Sequence, residues 1–216
     1  MPRKPLLLQS VFPYHVTARS NNREWFYVPT PIIWEICCRL FSTVNERYGS
    51  VVIEFVLMSN HFHLLISTPG ANLDRIMNYF MREFSRTVGS KTGRINHVFG
   101  GRYKGSLIRD ALHFSHVYKY ILRNPVAGGL AVRVEDYPFS TVRREWGEEI
   151  CFPISSILAQ PLAAYIPIEL SPRLEWLNKP YSRDQSGLLR RALKQTEFRF
   201  PTHHRHRSIV EELGQR

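Results

Sequence analysis

The chain has 216 residues, 44% of them hydrophobic and 12% aromatic, which excludes a disordered chain and fits one domain with appendages. Lys and Arg number 29 against 18 acidic residues, and a net charge of +11 points to a polyanionic partner, since neutralising phosphates releases their counterions. No stretch approaches the ~18 apolar residues of a membrane span, and the leucine run of "MPRKPLLLQS" is too short for a signal peptide.

"YHVTARSNN", from Tyr14, alternates in polarity and predicts a first strand. "TPIIWEICCRLFSTVNERYG" predicts a helix with Thr30 as N-cap, Pro31 at the first helical position and Gly49 at its end. Ile33, Ile36, Leu40 and Val44 share one face of it. "SVVIEFVLM" and "HFHLLIS" follow as two strands joined by a turn at Ser59 and Asn60. "ANLDRIMNYFMREFSRTVG" is a second amphipathic helix, with Leu73, Ile76, Met77, Phe80 and Phe84 inward and Gly89 at its end. "RYKGSLIRD" reads as a fourth strand, and "HFSHVYKYILRN" as a third helix stopped at Asn124 by Pro125. The order β-α-β-β-α-β, then a helix, is that of an α+β, ferredoxin-like core with an antiparallel sheet.

Periodicity weakens beyond this core. Residues 1–148 form the predicted domain, 149–172 a proline-rich extension or linker, and 173–216 a basic C-terminal tail with one short helix. The three cysteines are Cys37, Cys38 and Cys151. An odd count with two adjacent in a helix argues against a disulfide framework and for a reducing, cytoplasmic setting. The basic excess is concentrated between Arg75 and Arg133 and interleaved with aromatics, as in "FGGRYKGS", a pattern suited to nucleic acid.

Residues two apart on a strand share a face, so His61 and His63 stand side by side on an otherwise apolar strand. Such a pair is either packed in a core or presented as two metal ligands, and His-x-His alone does not separate the two. In "HVYKYILRNPV", Tyr120 and Asn124 are four apart and lie one above the other on a helix, with His116 one turn earlier.

"SNHFHLLI" resembles the His-apolar-His motif of single-tyrosine HUH transposases, and "YILRNPVAGGL" resembles their tyrosine helix in the REP-associated tyrosine transposases. "YHVTARSNNRE", "FGGRYKGSLI" and "DYPFSTV" match further segments, so the resemblance runs from about residue 10 to 145. It implies an enzyme that cleaves and rejoins single-stranded DNA beside a hairpin. Tyr120 would be the nucleophile, forming a 5′-phosphotyrosine intermediate. His61, His63 and Asn124 would hold a divalent metal, Mg2+ or Mn2+. Arg82, Arg86, Arg102, Tyr103, Lys104 and Arg109 are expected along the DNA path. The partner implied is single-stranded DNA with a hairpin, from a palindromic repeat or element end, and a homodimer is compatible with the resemblance. In two respects the chain departs from the pattern: Gly100 stands where relatives often have Trp, and Arg123 lies in a stretch where many carry an acidic residue.

Two rival readings are a non-catalytic, domesticated hairpin-binding protein of the same ancestry and a zinc hydrolase built on His61 and His63. The hydrolase needs a third strong ligand, for which Asp110, His97, His113 and His116 are candidates.

Overall fold

The computed structural model describes residues 6–200 together with Ile209, Glu212 and Leu213. The low-complexity "PTHHRHRS" segment of the tail lies outside them. The chain forms β1 (Tyr14–Arg19), α1 (Thr30–Tyr48), β2 (Val51–Leu57), β3 (His61–Ser67), α2 (Leu73–Thr92), β4 (Lys104–Leu107) and α3 (Ala111–Ala127). Two further helices, α4 (Leu170–Asn178) and α5 (Arg183–Ala192), follow a series of 3-10 turns. The sheet order is β2-β3-β1-β4 with every pair antiparallel, the ferredoxin-like arrangement that the element order predicts.

Strand alternation sends two sets of side chains to opposite faces. Val16, Ala18, Phe62, Leu64 and Phe55 meet α1 and α2 in one core. Ile53, Val56 and Leu65 meet Phe114, Val117, Tyr118 and Ile121 of α3, with α4 and α5, in a second core. The sheet is therefore covered on both faces.

Three helix boundaries differ from expectation. The N-cap of α1 is Pro29 rather than Thr30, which is the first helical residue. α2 runs through Gly89 to Thr92 and ends at Gly93, whose φ of 66° is the left-handed conformation glycine adopts without strain. Buried Val88 ties that last turn to the core, which outweighs the ~1 kcal/mol cost of an internal glycine. α3 includes Pro125 instead of stopping before it. The Asn124 side-chain amide donates to the Tyr120 carbonyl at 2.7 Å, and Gly128 N–H closes the end on the Asn124 carbonyl, so the proline costs one ladder bond in a final turn.

The extension is built into the domain. Ile157 and Ile166 of the linker and Leu177 and Leu189 beyond it are buried in the α3-side core. Two helices, rather than the single expected one, occupy the segment after the linker. Arg123 donates to the Leu177 and Asn178 carbonyls at 3.0 and 2.5 Å, placing a cation on the C-terminal end of α4. Beyond α5 the chain pairs with the free edge of β4: Leu107 N–H donates to Thr196, and Phe198 N–H donates to Leu107.

The cysteine expectation is also corrected. Cys38 and Cys151 form a disulfide with Cα atoms 5.5 Å apart, and Cys37 is left free and buried. Neighbours on a helix point about 100° apart, so Cys37 faces the core while Cys38 faces the returning chain. The cysteines thus give no support to a reducing compartment. No helix among the described residues is long and apolar enough to cross a membrane.

The "DYPFSTV" segment is clamped to β2. Tyr137 hydroxyl donates to the Leu57 carbonyl at 2.7 Å, Leu57 N–H donates to Phe139, and Thr141 hydroxyl donates to the Glu54 carboxylate. Glu54 is fully buried, and burial pushes its carboxyl up to about 7 despite the Arg144 guanidinium nearby. Its Oε2 has no partner. The folded protein therefore holds a proton that the unfolded chain releases near pH 4.5, and stability falls as pH rises from there through about 7. Glu54→Gln, a neutral isostere, is expected to gain up to about 3 kcal/mol over the parent at pH 8. The gain should vanish near pH 4.5. Urea unfolding at the two pH values measures it.

Candidate active site

Tyr120, His61, His63 and Asn124 line one cleft of about 920 Å³ between the α3 face of the sheet, α3 itself and α5. Register assembles the floor. Thr17 lies opposite His63 and Arg19 opposite His61, and the alternation of β1 puts His15 on the same face. His15 Nε2 and His63 Nδ1 are 2.9 Å apart with rings stacked at 5.1 Å. The Tyr120 ring stands edge-on to both, 5.7 Å from His63 and 6.4 Å from His15.

Both sequence-predicted histidines are held neutral. Burial lowers His61 to about 4, with Arg19 adding to the effect. Burial drives His63 well below the ordinary imidazole value, helped by His15, His61 and Arg19. Burial also lowers His15, to about 3. The tautomers follow from the partners. Asn60 Nδ2 donates to the Arg23 carbonyl, so its Oδ1 faces His61 Nδ1 at 2.7 Å and must accept a proton from it. His61 Nε2 then carries the lone pair. His63 Nε2 is buried with no hydrogen-bond partner, an arrangement that is costly unless something coordinates it.

Asn124 sits against His63 and Tyr120. Its Nδ2 is occupied by the Tyr120 carbonyl, which leaves Oδ1 as the group free to ligate. Two neutral imidazole nitrogens and one amide oxygen converge, a donor set that fits a divalent ion with open positions for phosphate oxygens. No group of three or more His, Cys, Asp or Glu among the described residues could hold a metal. The four candidates for a hydrolase's third ligand are engaged elsewhere or lie outside the cleft. Asp110 caps α3, His116 contacts Tyr181 and the Leu213 carbonyl, His113 packs on Phe198 and Phe200, and His97 lines a different groove.

Tyr118, the neighbouring tyrosine, points the other way. It is fully buried, stacked on Trp176, with its hydroxyl unpartnered. Tyr120 is half-buried. Burial raises its phenol, and Arg190, Arg19 and Asn124 oppose that rise.

Six basic residues line the cleft: Arg19, Arg23, Arg102, Lys104, Arg190 and Lys194. No Asp or Glu does. Of the predicted DNA-path residues, Arg102 and Lys104 are therefore in the cleft. Arg82 and Tyr103 line a second groove of about 1050 Å³ against α2, joined to the cleft at Gly100, Gly101 and Arg102. Arg86 is ion-paired with Glu83 at 2.8 Å, and Arg109 lies 3.9 Å from Glu197, both outside the cleft. Gly100 packs against backbone: a Cβ there would lie 3.3 Å from the Ser20 carbonyl, a tight contact. Sequence reasoning missed His15, Arg19, Arg190 and Lys194. The first two were detectable from the alternation of "YHVTAR" and the polar residues it leaves on the His61 face. The last two fall in the basic C-terminal helix segment, whose charge was legible but whose place at the site was not.

A family model described as transposase, IS200 like, matches residues 9–124. A Haemophilus influenzae protein named as a REP-associated tyrosine transposase is 26% identical over 116 residues, 49% of this chain and 66% of that protein, so the match spans just under two thirds of the relative's length. A solved structure of a REP-associated tyrosine transposase bound to a REP hairpin superposes with a TM-score of 0.59 at 18% identity, covering 69% of this chain and 88% of that one. At that identity the superposition establishes the shared fold.

Proposed function

The chain belongs to the IS200-like transposase family, and from that premise we propose that it cleaves and rejoins single-stranded DNA beside a hairpin, as a REP-associated tyrosine transposase. The observation that carries this reading is that Tyr120, His61, His63 and Asn124 line one cation-rich cleft in which no described residue contributes a carboxylate.

Tyr120 Oη attacks the scissile phosphorus while the P–O3′ bond breaks. The phenol loses its proton, the 3′ oxygen gains one, and a 5′-phosphotyrosine and a 3′-hydroxyl remain. One phosphodiester replaces another, so the reverse reaction with a new 3′-hydroxyl reseals DNA without ATP. His61, His63 and Asn124 would hold Mg2+ or Mn2+, which would supply Lewis-acid polarisation of the scissile phosphate. Asn124 anchors the turn that carries Tyr120 through its bond to the Tyr120 carbonyl. The cations lining the cleft hold the phosphate backbone and set the register of the strand.

The test is incubation of the protein with labelled hairpin oligonucleotides carrying single-stranded flanks, in Mg2+ or Mn2+, followed by a denaturing gel. A covalent protein–DNA band supports the reading, and hairpin binding with no band under any metal would leave the non-catalytic alternative. Affinity should fall steeply with salt. With six phosphate contacts, one for each cation in the cleft, the log–log slope for a single strand is expected at about −4. A slope near zero would exclude the cleft as the DNA path.

A further inference from the structure

We propose that α5, which lies beyond the part of the chain matched by the family model, forms the second wall of the DNA cleft, with Arg190 and Lys194 binding the phosphate presented to Tyr120. This rests on the tyrosine-transferase reading above and assigns that site a contribution from the C-terminal extension.

The placement of α5 is fixed by its surroundings. Ser182 and Gln185 cap its start reciprocally, Leu189 and Ala192 bury its inner face in the α3-side core, and Leu188 is buried beside them. The chain after it is stitched to β4 by the Leu107 bonds at Thr196 and Phe198. With the helix held at both ends, Arg190 and Lys194 line the same cleft as Tyr120, and the Arg190 charge opposes the burial-driven rise of the Tyr120 phenol. Arg190 stands in the last turn of α5 and Lys194 in the turn that follows it, so both present like charge to one cleft. No carboxylate among the described residues lines the cleft to neutralise them. Two uncompensated cations beside a candidate nucleophile suit a phosphate, and the guanidinium fork matches two of its oxygens. Arg183 and Arg191 of the same helix are exposed and lie outside the cleft, which makes them internal controls.

The experiment measures binding in the full-length Tyr120→Phe protein without metal, so that no chemistry intervenes. The probe is a fluorescein-labelled hairpin with single-stranded oligothymidylate flanks, titrated across salt concentrations. Arg190→Ala and Lys194→Ala should each reduce the log–log slope by about 0.7, and weaken binding by about tenfold together. Arg183→Ala and Arg191→Ala should leave the slope unchanged. Arg190→Lys should restore it, because the charge is retained. Arg190→Gln, which keeps a long polar side chain on the helix, should behave like Arg190→Ala, and thermal melts by circular dichroism verify that α5 is still docked. Slopes unmoved by Arg190→Ala and Lys194→Ala, or moved equally by the two control arginines, would overturn the proposal. Covalent adduct formation by the parent is scored separately. An adduct with unmoved slopes defeats the α5 site alone, whereas reduced slopes with no adduct defeat the transferase reading and leave the phosphate site standing.

Discussion

Tyr120→Phe should eliminate the covalent protein–DNA adduct, a loss of at least about a thousand-fold, while leaving hairpin affinity close to that of the parent. The substitution removes one oxygen and keeps the ring that stands edge-on to His63 and His15. No other hydroxyl is poised to replace it. Thr17 and Ser20 also line the cleft, but their hydroxyls donate to the Phe62 and Glu24 carbonyls. Tyr118 is buried in the α3-side core and does not line the cleft. Tyr118→Phe should therefore keep full adduct formation and gain about 1 kcal/mol of stability, because it deletes a buried hydroxyl that has no partner. The pair of variants is read on one denaturing gel and one unfolding curve. An adduct that survives Tyr120→Phe would end the tyrosine mechanism.

The second large effect is expected at the histidines. His61→Ala and His63→Ala should each abolish detectable cleavage, and chelator should do the same to the parent. Fold and most of the DNA affinity should survive, since phosphate contacts dominate binding. His63→Ala also leaves the buried His15 imidazole without its partner, so a stability loss of about 1–3 kcal/mol should accompany the lost cleavage. Asn124→Ala should be milder, because water can replace one neutral oxygen ligand. His15→Ala should cost about 10- to 100-fold in cleavage, the range typical of residues that orient a metal ligand through its second nitrogen. Mn2+ titration followed calorimetrically separates lost metal binding from lost chemistry. Cleavage persisting in chelator with both His61 and His63 removed would refute the metal role.

The ferredoxin-like core was readable without coordinates because its signals are local. Period-two alternation in "YHVTAR" and "HFHLLIS", period-3.6 spacing in α1 and α2, and the polar turn at Ser59 and Asn60 depend on residues a few positions apart. The same local rules placed His61 and His63 on one strand face, and Tyr120 and Asn124 on one helix stripe. They did not reveal that β1 pairs with β3 in the register that sets Thr17 opposite His63 and Arg19 opposite His61. Nor did they show which side of the proline-rich segment was apolar. Its isoleucines carry no period: Ile157 and Ile166 find their place in the α3-side core, whereas Ile154 packs against the α1–α2 core. Local rules also misplaced the ends of α2 and α3, where Val88 packing and the Asn124 side chain outweigh the preferences of Gly89 and Pro125. Arg190, Lys194 and the Cys38–Cys151 link depend on tertiary structure alone. Each joins segments far apart in the chain, and only burial of the intervening apolar surface brings them within bonding distance.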